Sequence, residues 1–140
     1  MPKASIQSIN EPVSAPGFEG RYAELLDHTV GFESYSEEAD MAPLFVGLPD
    51  DRCQCSHFGY VKKGSVTYRT ADGEETFHAG DAYVVGPGHM PVLHPGTELV
   101  EFSPTAELNP TMHHRCQLTL GAPDWTLSGQ GRRRRSHNAT

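Results

Sequence analysis

HFGYVKKGSVTYRTADGEETFHAGDAYVVGPGHMPVLHPGTELVEFSP, residues 57–104, decides the fold. Apolar residues return at every second position over short runs, and each run ends at a turn signal. A period of two marks a half-buried strand. HFGYVKK closes at Gly64, and SVTYRT sets Val66 and Tyr68 against Thr67 and Arg69. Asp72-Gly73 is a strong hairpin signal. Further strands are read at Glu75–His78, Ala82–Val85, Pro91–His94 and Leu99–Ser103, with turns at 79–81, 86–88 and 95–96. Short strands at such regular spacing predict an all-β sandwich or barrel.

Outside this block the signals weaken. Residues 1–20 hold Pro2, Pro12, Pro16, Gly17 and Gly20 and read as a short flexible arm without its own core, placed to add an edge strand to a partner. RYAELLDHTV (21–30) fits a strand or a short helix, and GFESYSEEAD (31–40) a strand running into a loop. LPDD (48–51) is a turn, and TAELNPTMHHRC (105–116) forms one helical turn, with His113 and His114 in solvated loop. Trp125 anchors the C-terminal segment. The division is therefore arm 1–20, β-barrel domain 21–128, and disordered basic tail 129–140.

The chain has 140 residues, enough for one domain with a real core. Its 14 glycines and 11 prolines punctuate turns rather than helices. Net charge is -7, and all 18 acids precede Gly129 with seven of the 11 basic residues. The other four form the run Arg132–Arg135. An acidic body argues against nucleic-acid binding. The arginine run is the one place for such a contact, and its blander reading is a solvated end. No stretch approaches the roughly 20 apolar residues of a membrane span. MPKASIQSIN lacks the apolar core of a signal peptide, so a cytoplasmic location is expected. Three cysteines in such a chain do not make a disulfide framework. Cys53 and Cys55 on one extended strand lie about 6.5–7 Å apart, at the edge of disulfide geometry. Cys116 reads as a small buried hydrophobe.

RCQCSH, residues 52–57, opens the barrel block with Cys53, Cys55 and His57 at alternate positions. On a regular strand they share a face with Gly59 and Val61, the inside face. Thiols and imidazole converging in a barrel mouth make a reasonable Zn²⁺ set. Spacing alone favours packed core residues, because C-x-C-x-H is not a common closed zinc motif and a further ligand must come from elsewhere. Glu101 alternates with Val100 and Phe102. With those two packed inside, Glu101 faces solvent, which is the preferred reading. With the faces reversed it enters the barrel as a general acid or base, its pKa raised by burial. Tyr60, Tyr68 and Tyr83 read as wall residues, Tyr68 or Tyr83 within reach of a ligand. His78 reads as surface.

The block resembles the cupins. GDAYVVGPGHMPV (80–92) is similar to the strand–turn–strand of the second cupin motif. Aligned on Gly64, the glutamate of the first motif falls on His57, and its two histidines fall on Asp51 and Cys53. Aligned on Gly80, the P-x-G turn falls on Gly86-Pro87-Gly88 and the histidine on Pro91. His89 follows the turn and is favoured to enter the mouth, whereas His94 has the parity of an outward residue. The resemblance covers Phe45 to Pro104. It implies a jelly-roll (double-stranded β-helix) barrel, a small molecule in its mouth, and a homodimer. It also implies a chain that either holds a divalent metal or has lost it. The ligands would be Cys53, Cys55, His57 and His89, with Asp51 and His94 as alternates. Thiolate with imidazole favours Zn²⁺, while iron and nickel stay open. The leading expectation is a zinc enzyme doing non-redox chemistry on a small organic molecule: cyclisation, isomerisation or elimination. A non-catalytic binding cupin comes next, and an Fe(II) oxygenase last, because the histidine set is missing.

Overall fold

The computed structural model describes residues 1–118, with side chains through Arg115. The side chain of Cys116, Trp125, the boundary at residue 128 and the Arg132–Arg135 tail lie outside the described residues. In chain order the strands are β1 (Val13–Ala15), β2 (Phe18–Leu25), β3 (His28–Tyr35), β4 (Ala39–Asp40), β5 (His57–Lys63), β6 (Ser65–Thr70), β7 (Gly73–His78), β8 (Ala82–Val85), β9 (Met90–Leu93) and β10 (Thr97–Pro104). Helix α1 (Ala42–Phe45) precedes β5, and helix α2 (Thr105–Leu118) follows β10. The strands make two antiparallel sheets, ordered β1-β2-β3-β10-β5-β8 and β4-β9-β6-β7. Two sheets faced in this way form a jelly-roll sandwich. Among the described residues no helix is long and apolar enough to cross a membrane.

Period-two patterning sets the faces. Along β5, His57 and Val61 are buried while Phe58 and Tyr60 are exposed. Along β8, Tyr83 and Val85 are buried while Ala82 and Val84 are exposed. Val61, Val66, Leu93 and Leu99 meet in the core between the sheets. Burying each such side chain stabilises by about 1.5–3 kcal/mol. Tyr60 is exposed rather than part of the wall.

Three elements resolve or extend the sequence reading. Residues 21–30, open between strand and short helix, take the strand alternative as a hairpin, with Leu26 at φ 58 in the turn between β2 and β3. Residues 1–20 contain β1 and the start of β2, which pair with each other. Arg21 also donates to the Ile9 carbonyl, so the arm is tied to its own sheet. The segment after Pro104 is a 14-residue helix, not one turn, and His113 and His114 sit on it rather than in a loop. Pro110 and a polar composition hide that helix from a propensity reading. Tertiary packing makes it: Leu108 and Met112, four apart, bury against Met41 and Phe45.

A second pattern crosses the six-stranded sheet. Ladder pairs run Tyr22↔Gly31, Gly31↔Glu101, Glu101↔Gly59 and Gly59↔Tyr83. The Tyr83 ring occupies the space where a Cβ on Gly59 would stand, and a Cβ on Gly31 would meet the Tyr22 ring at 2.8 Å. Gly59→Ala is therefore expected to push Tyr83 out of place and destabilise the fold by about 1–3 kcal/mol in urea denaturation. An unchanged midpoint would show that the ring does not need this gap.

Candidate metal centre

Cys53 and His89 are brought together by backbone. They form an isolated antiparallel bridge, with the Cys53 amide donating to the His89 carbonyl at 3.0 Å and the Gly88 amide to the Cys53 carbonyl at 2.7 Å. The Gly86-Pro87-Gly88 turn delivers His89 to this bridge. His57, the first residue of β5, completes the group: its Nε2 lies 3.7 Å from the Cys53 sulfur. One donor atom from each of Cys53, His57 and His89 lies within 4.8 Å of the others, and all three residues are buried. Two ligands about 2.05 and 2.3 Å from a tetrahedral zinc stand about 3.6 Å apart, so the Cys53–His57 spacing fits the ion.

The ring nitrogens are set by their other partners. Nδ1 of His89 is 2.6 Å from the Gly86 carbonyl. A carbonyl only accepts, so this nitrogen carries the proton and Nε2 carries the lone pair. That Nε2 is buried with no hydrogen-bond partner among the described residues. A buried polar atom left this way costs about 1–3 kcal/mol. Nδ1 of His57 lies 2.6 Å from the Ser103 hydroxyl, with Nε2 toward Cys53. A ring held by its far nitrogen is the usual support of a metal-binding histidine. Burial lowers both imidazoles to about 4, and for His89 the charge of His57 adds to the effect. Both are therefore neutral near pH 7 and competent as ligands. Burial pushes the Cys53 thiol up. It becomes a thiolate ligand only against a cation, so metal binding there releases a proton.

Cys55 is fully buried but stands outside this group. Its thiol donates to the Ser56 carbonyl at 3.3 Å, and burial raises it to about 12. Strand pairing begins only at His57, so residues 54–56 keep alternate burial but not a common aim for the sulfurs. Asp51 is exposed at φ 53, its carboxylate accepting the Gly47 amide at 2.8 Å. His94 bonds the Thr67 hydroxyl at 2.8 Å, away from the cluster. His78 is exposed, and His114 bonds the Val46 carbonyl. The structure thus brings Cys53, His57 and His89 together and leaves Cys55, Asp51 and His94 out.

Glu101 reverses its preferred reading. Leu99, Glu101 and Ser103 point inward, and Phe102 is left 42% exposed on the outer face. The barrel compensates the carboxylate. Tyr68 and Tyr83 both donate to its Oε1, Tyr83 at 2.6 Å, while its Oε2 lies 3.8 Å from Nδ1 of His57. Burial first, and then the Glu101 charge, raises the pKa of both tyrosines. Glu33 forms a second clamp that the sequence reading missed. Tyr22 donates to its Oε1 and Tyr35 to its Oε2, the latter at 2.8 Å. Burial and the Glu101 charge raise the Glu33 pKa. The signal for Glu33 was its parity with Gly31 and Tyr35. Thr111 and Arg115 were missed because their helix was not read. A cavity of about 60 Å³ is lined by Cys53, His57, Glu33, Glu101, Thr111 and Arg115 with apolar neighbours.

No family model and no curated protein matches the chain. Solved structures do. KdgF from Halomonas sp. is 20% identical with a TM-score of 0.53, over 74% of this chain and 94% of that one. A sugar phosphate isomerase of the cupin superfamily from Silicibacter pomeroyi is 14% identical with a TM-score of 0.53, over 74% and 75%. An RmlC-like cupin from Shewanella frigidimarina is 18% identical with a TM-score of 0.51, over 71% and 88%. Two facing antiparallel sheets, the PG turn that delivers His89, and these likenesses together establish that the chain has the cupin fold.

Proposed function

We propose that the chain is a metal-dependent cupin enzyme, loaded with zinc, that moves protons on a small organic molecule without redox chemistry, as an isomerisation, a cyclisation or an elimination. One observation carries this reading: Nε2 of His89 is buried without a described partner in the cluster with Cys53 and His57. One thiol and two imidazoles are donors that zinc takes, and three protein donors leave a position for substrate. When bound, zinc supplies Lewis acidity without electron transfer. Glu101 is the base of this reading, its Oε2 on the His57 side and its Oε1 fixed by two hydroxyls. Glu33, which burial keeps protonated more readily, is the acid. The proposal takes the protein as a cytoplasmic homodimer. Phe58, Tyr60, Val84 and Phe102, left exposed on the outer sheet face, support the pairing.

The cavity favours a second reading, a cupin that binds a metal or small molecule without turnover. Its volume of about 60 Å³ leaves room for a few waters and not for a sugar.

Elemental analysis of tag-free protein, offered zinc and then desalted, is expected to find about one zinc per chain. Cys53→Ala, His57→Ala and His89→Ala should each lose most of it, and Cys55→Ala should keep it. A wild type that stays zinc-free would remove the enzyme reading and leave the binding module.

The metal-free protein should also be acid-sensitive in a defined window. His57 and His89 sit at about 4 against an ordinary 6.5. Between those values the unfolded chain binds protons that the folded chain refuses. Stability is therefore complete above about pH 6.5 and drains away as pH falls toward 4, by about 1.4 kcal/mol per pH unit for each group. Urea midpoints measured across this range should fall, and His89→Ala should flatten part of the fall. A flat profile would mean that neither imidazole is held neutral.

A further inference from the structure

The outer face of the six-stranded sheet has the composition of a face that is covered. Ladder pairs join Ala23, Val30, Phe102, Phe58 and Val84 into one row across β2, β3, β10, β5 and β8. The next row runs Arg21, Phe32, Val100, Tyr60 and Ala82. Nine of these ten residues are apolar, where a sheet face turned to water carries polar side chains. Arg21, the tenth, is held within the chain by Glu19 at 3.2 Å and by the Ile9 carbonyl.

The area suits a pair of chains. Phe58 is 57%, Tyr60 48%, Val84 62% and Phe102 42% exposed. An aromatic side chain carries about 150–250 Å², so these four leave roughly 400 Å² open in one patch, the size that marks an interaction surface. A stable interface takes about 800 Å² from each partner, about 65% of it apolar in homodimers. Exposed Ala82 and half-buried Phe32 and Val100 extend the patch toward that share.

Charge and shape select the occupant. The body is acidic, so two copies, or a copy and an anionic lipid surface, repel wherever acids meet. These two rows hold no acid. A broad, twisted sheet is matched by another sheet of the same twist, packed about 10 Å away. Residues 119–140 hold only Leu120, Trp125 and Leu127 as large apolar side chains, too few to cover nine. The N-terminal arm does not offer the pairing, because β1 is paired with β2 of its own chain.

We propose that the outer face of β10, β5 and β8 is a two-fold, sheet-on-sheet interface with a second copy of this chain. It gives a surface to the pairing taken above and does not rest on the metal. Phe58, Val84 and Phe102 alternate with His57, Tyr83 and Glu101, so the interface lies behind the strands that carry the candidate site.

Analytical ultracentrifugation of full-length protein over a dilution series tests it, with hydroxyl-radical footprinting and zinc analysis of the same samples. The wild type is expected to be a dimer in which Phe58, Tyr60 and Phe102 are oxidised more as dilution separates the copies. Phe58→Glu and, separately, Val84→Lys should each weaken the dimer about thirtyfold or more. The wild-type footprint decides the matter even if a variant fails to fold. A monomer at every concentration, a dimer whose three rings stay fully reactive, or a folded Val84→Lys protein that pairs like wild type would each overturn the proposal. So would a monomer with the rings protected at every dilution, which would assign the face to the chain's own residues 119–140. A zinc-free dimer protected on this face would support the interface and sink the metal reading. A zinc-bearing monomer would sink the interface alone.

Discussion

Two glycines beside one glutamate govern the interior of this barrel. Glu101 faces inward from the middle of the six-stranded sheet, with Gly31 and Gly59 as its ladder partners on either side. A side chain at either glycine would collide with a tyrosine ring, Tyr22 at Gly31 and Tyr83 at Gly59. The gaps are filled from one strand further out, where Tyr22 leans over Gly31 and Tyr83 over Gly59. Tyr83 thereby reaches Glu101 across a strand, and Tyr22 reaches Glu33. A buried carboxylate is tolerable only when its oxygens are satisfied. In the row Tyr22–Gly31–Glu101–Gly59–Tyr83 backbone register supplies one donor to Oε1 of Glu101, Tyr83, and Tyr68 on β6 of the facing sheet supplies the other.

The candidate metal centre depends on a different backbone device. Cys53 and His89 come from segments far apart in sequence, and their mutual main-chain bonds hold the two backbones side by side. The same arrangement leaves Nε2 of His89 buried without a partner among the described residues, at a cost of about 1–3 kcal/mol. His57 then needs only its own strand to join them. Its pair on β8 is Val85, next to the turn that bears His89.

Much of this was legible in the sequence. The two-residue rhythm and the turns gave β5, β6 and β8 at their observed bounds, and the Gly80–Gly88 pattern pointed to the cupin arrangement and to His89 rather than His94. Two kinds of information were not there to read. Alternation says which residues share a face but not which face is inside. Glu101 was assigned outward on the ordinary ground that Phe102 should be buried, and here the aromatic ring is the one in solvent. Alternation also assumes regular pairing, and Cys55 falls in a stretch where pairing has lapsed. Helix α2 was lost for a third reason: its stability comes from Leu108 and Met112 packing on α1, which no local propensity records.

Polarity inside the barrel changes along its axis, and the antiparallel register makes the change coherent. Inward positions on β10 run Leu99, Glu101, Ser103, while those on β5 run the other way, Val61, Gly59, His57. Leu99 pairs with Val61 at one level and Glu101 with Gly59 at the next. Each step of two residues moves about 6.8 Å. Along β10 and β5 the inward positions therefore pass from aliphatic at Leu99 and Val61 to polar at Glu101, Ser103 and His57, while Glu33, the ladder partner of Leu99 on β3, carries a carboxylate to the aliphatic level. Helix α2 packs over this interior with a mixed face. Leu108 and Met112 pack it on Met41 and Phe45, and these four line the cavity together with Thr111 and Arg115. A helix that is held by its packing on α1 and walls the cavity with the same residues makes the shape of that cavity depend on the packing.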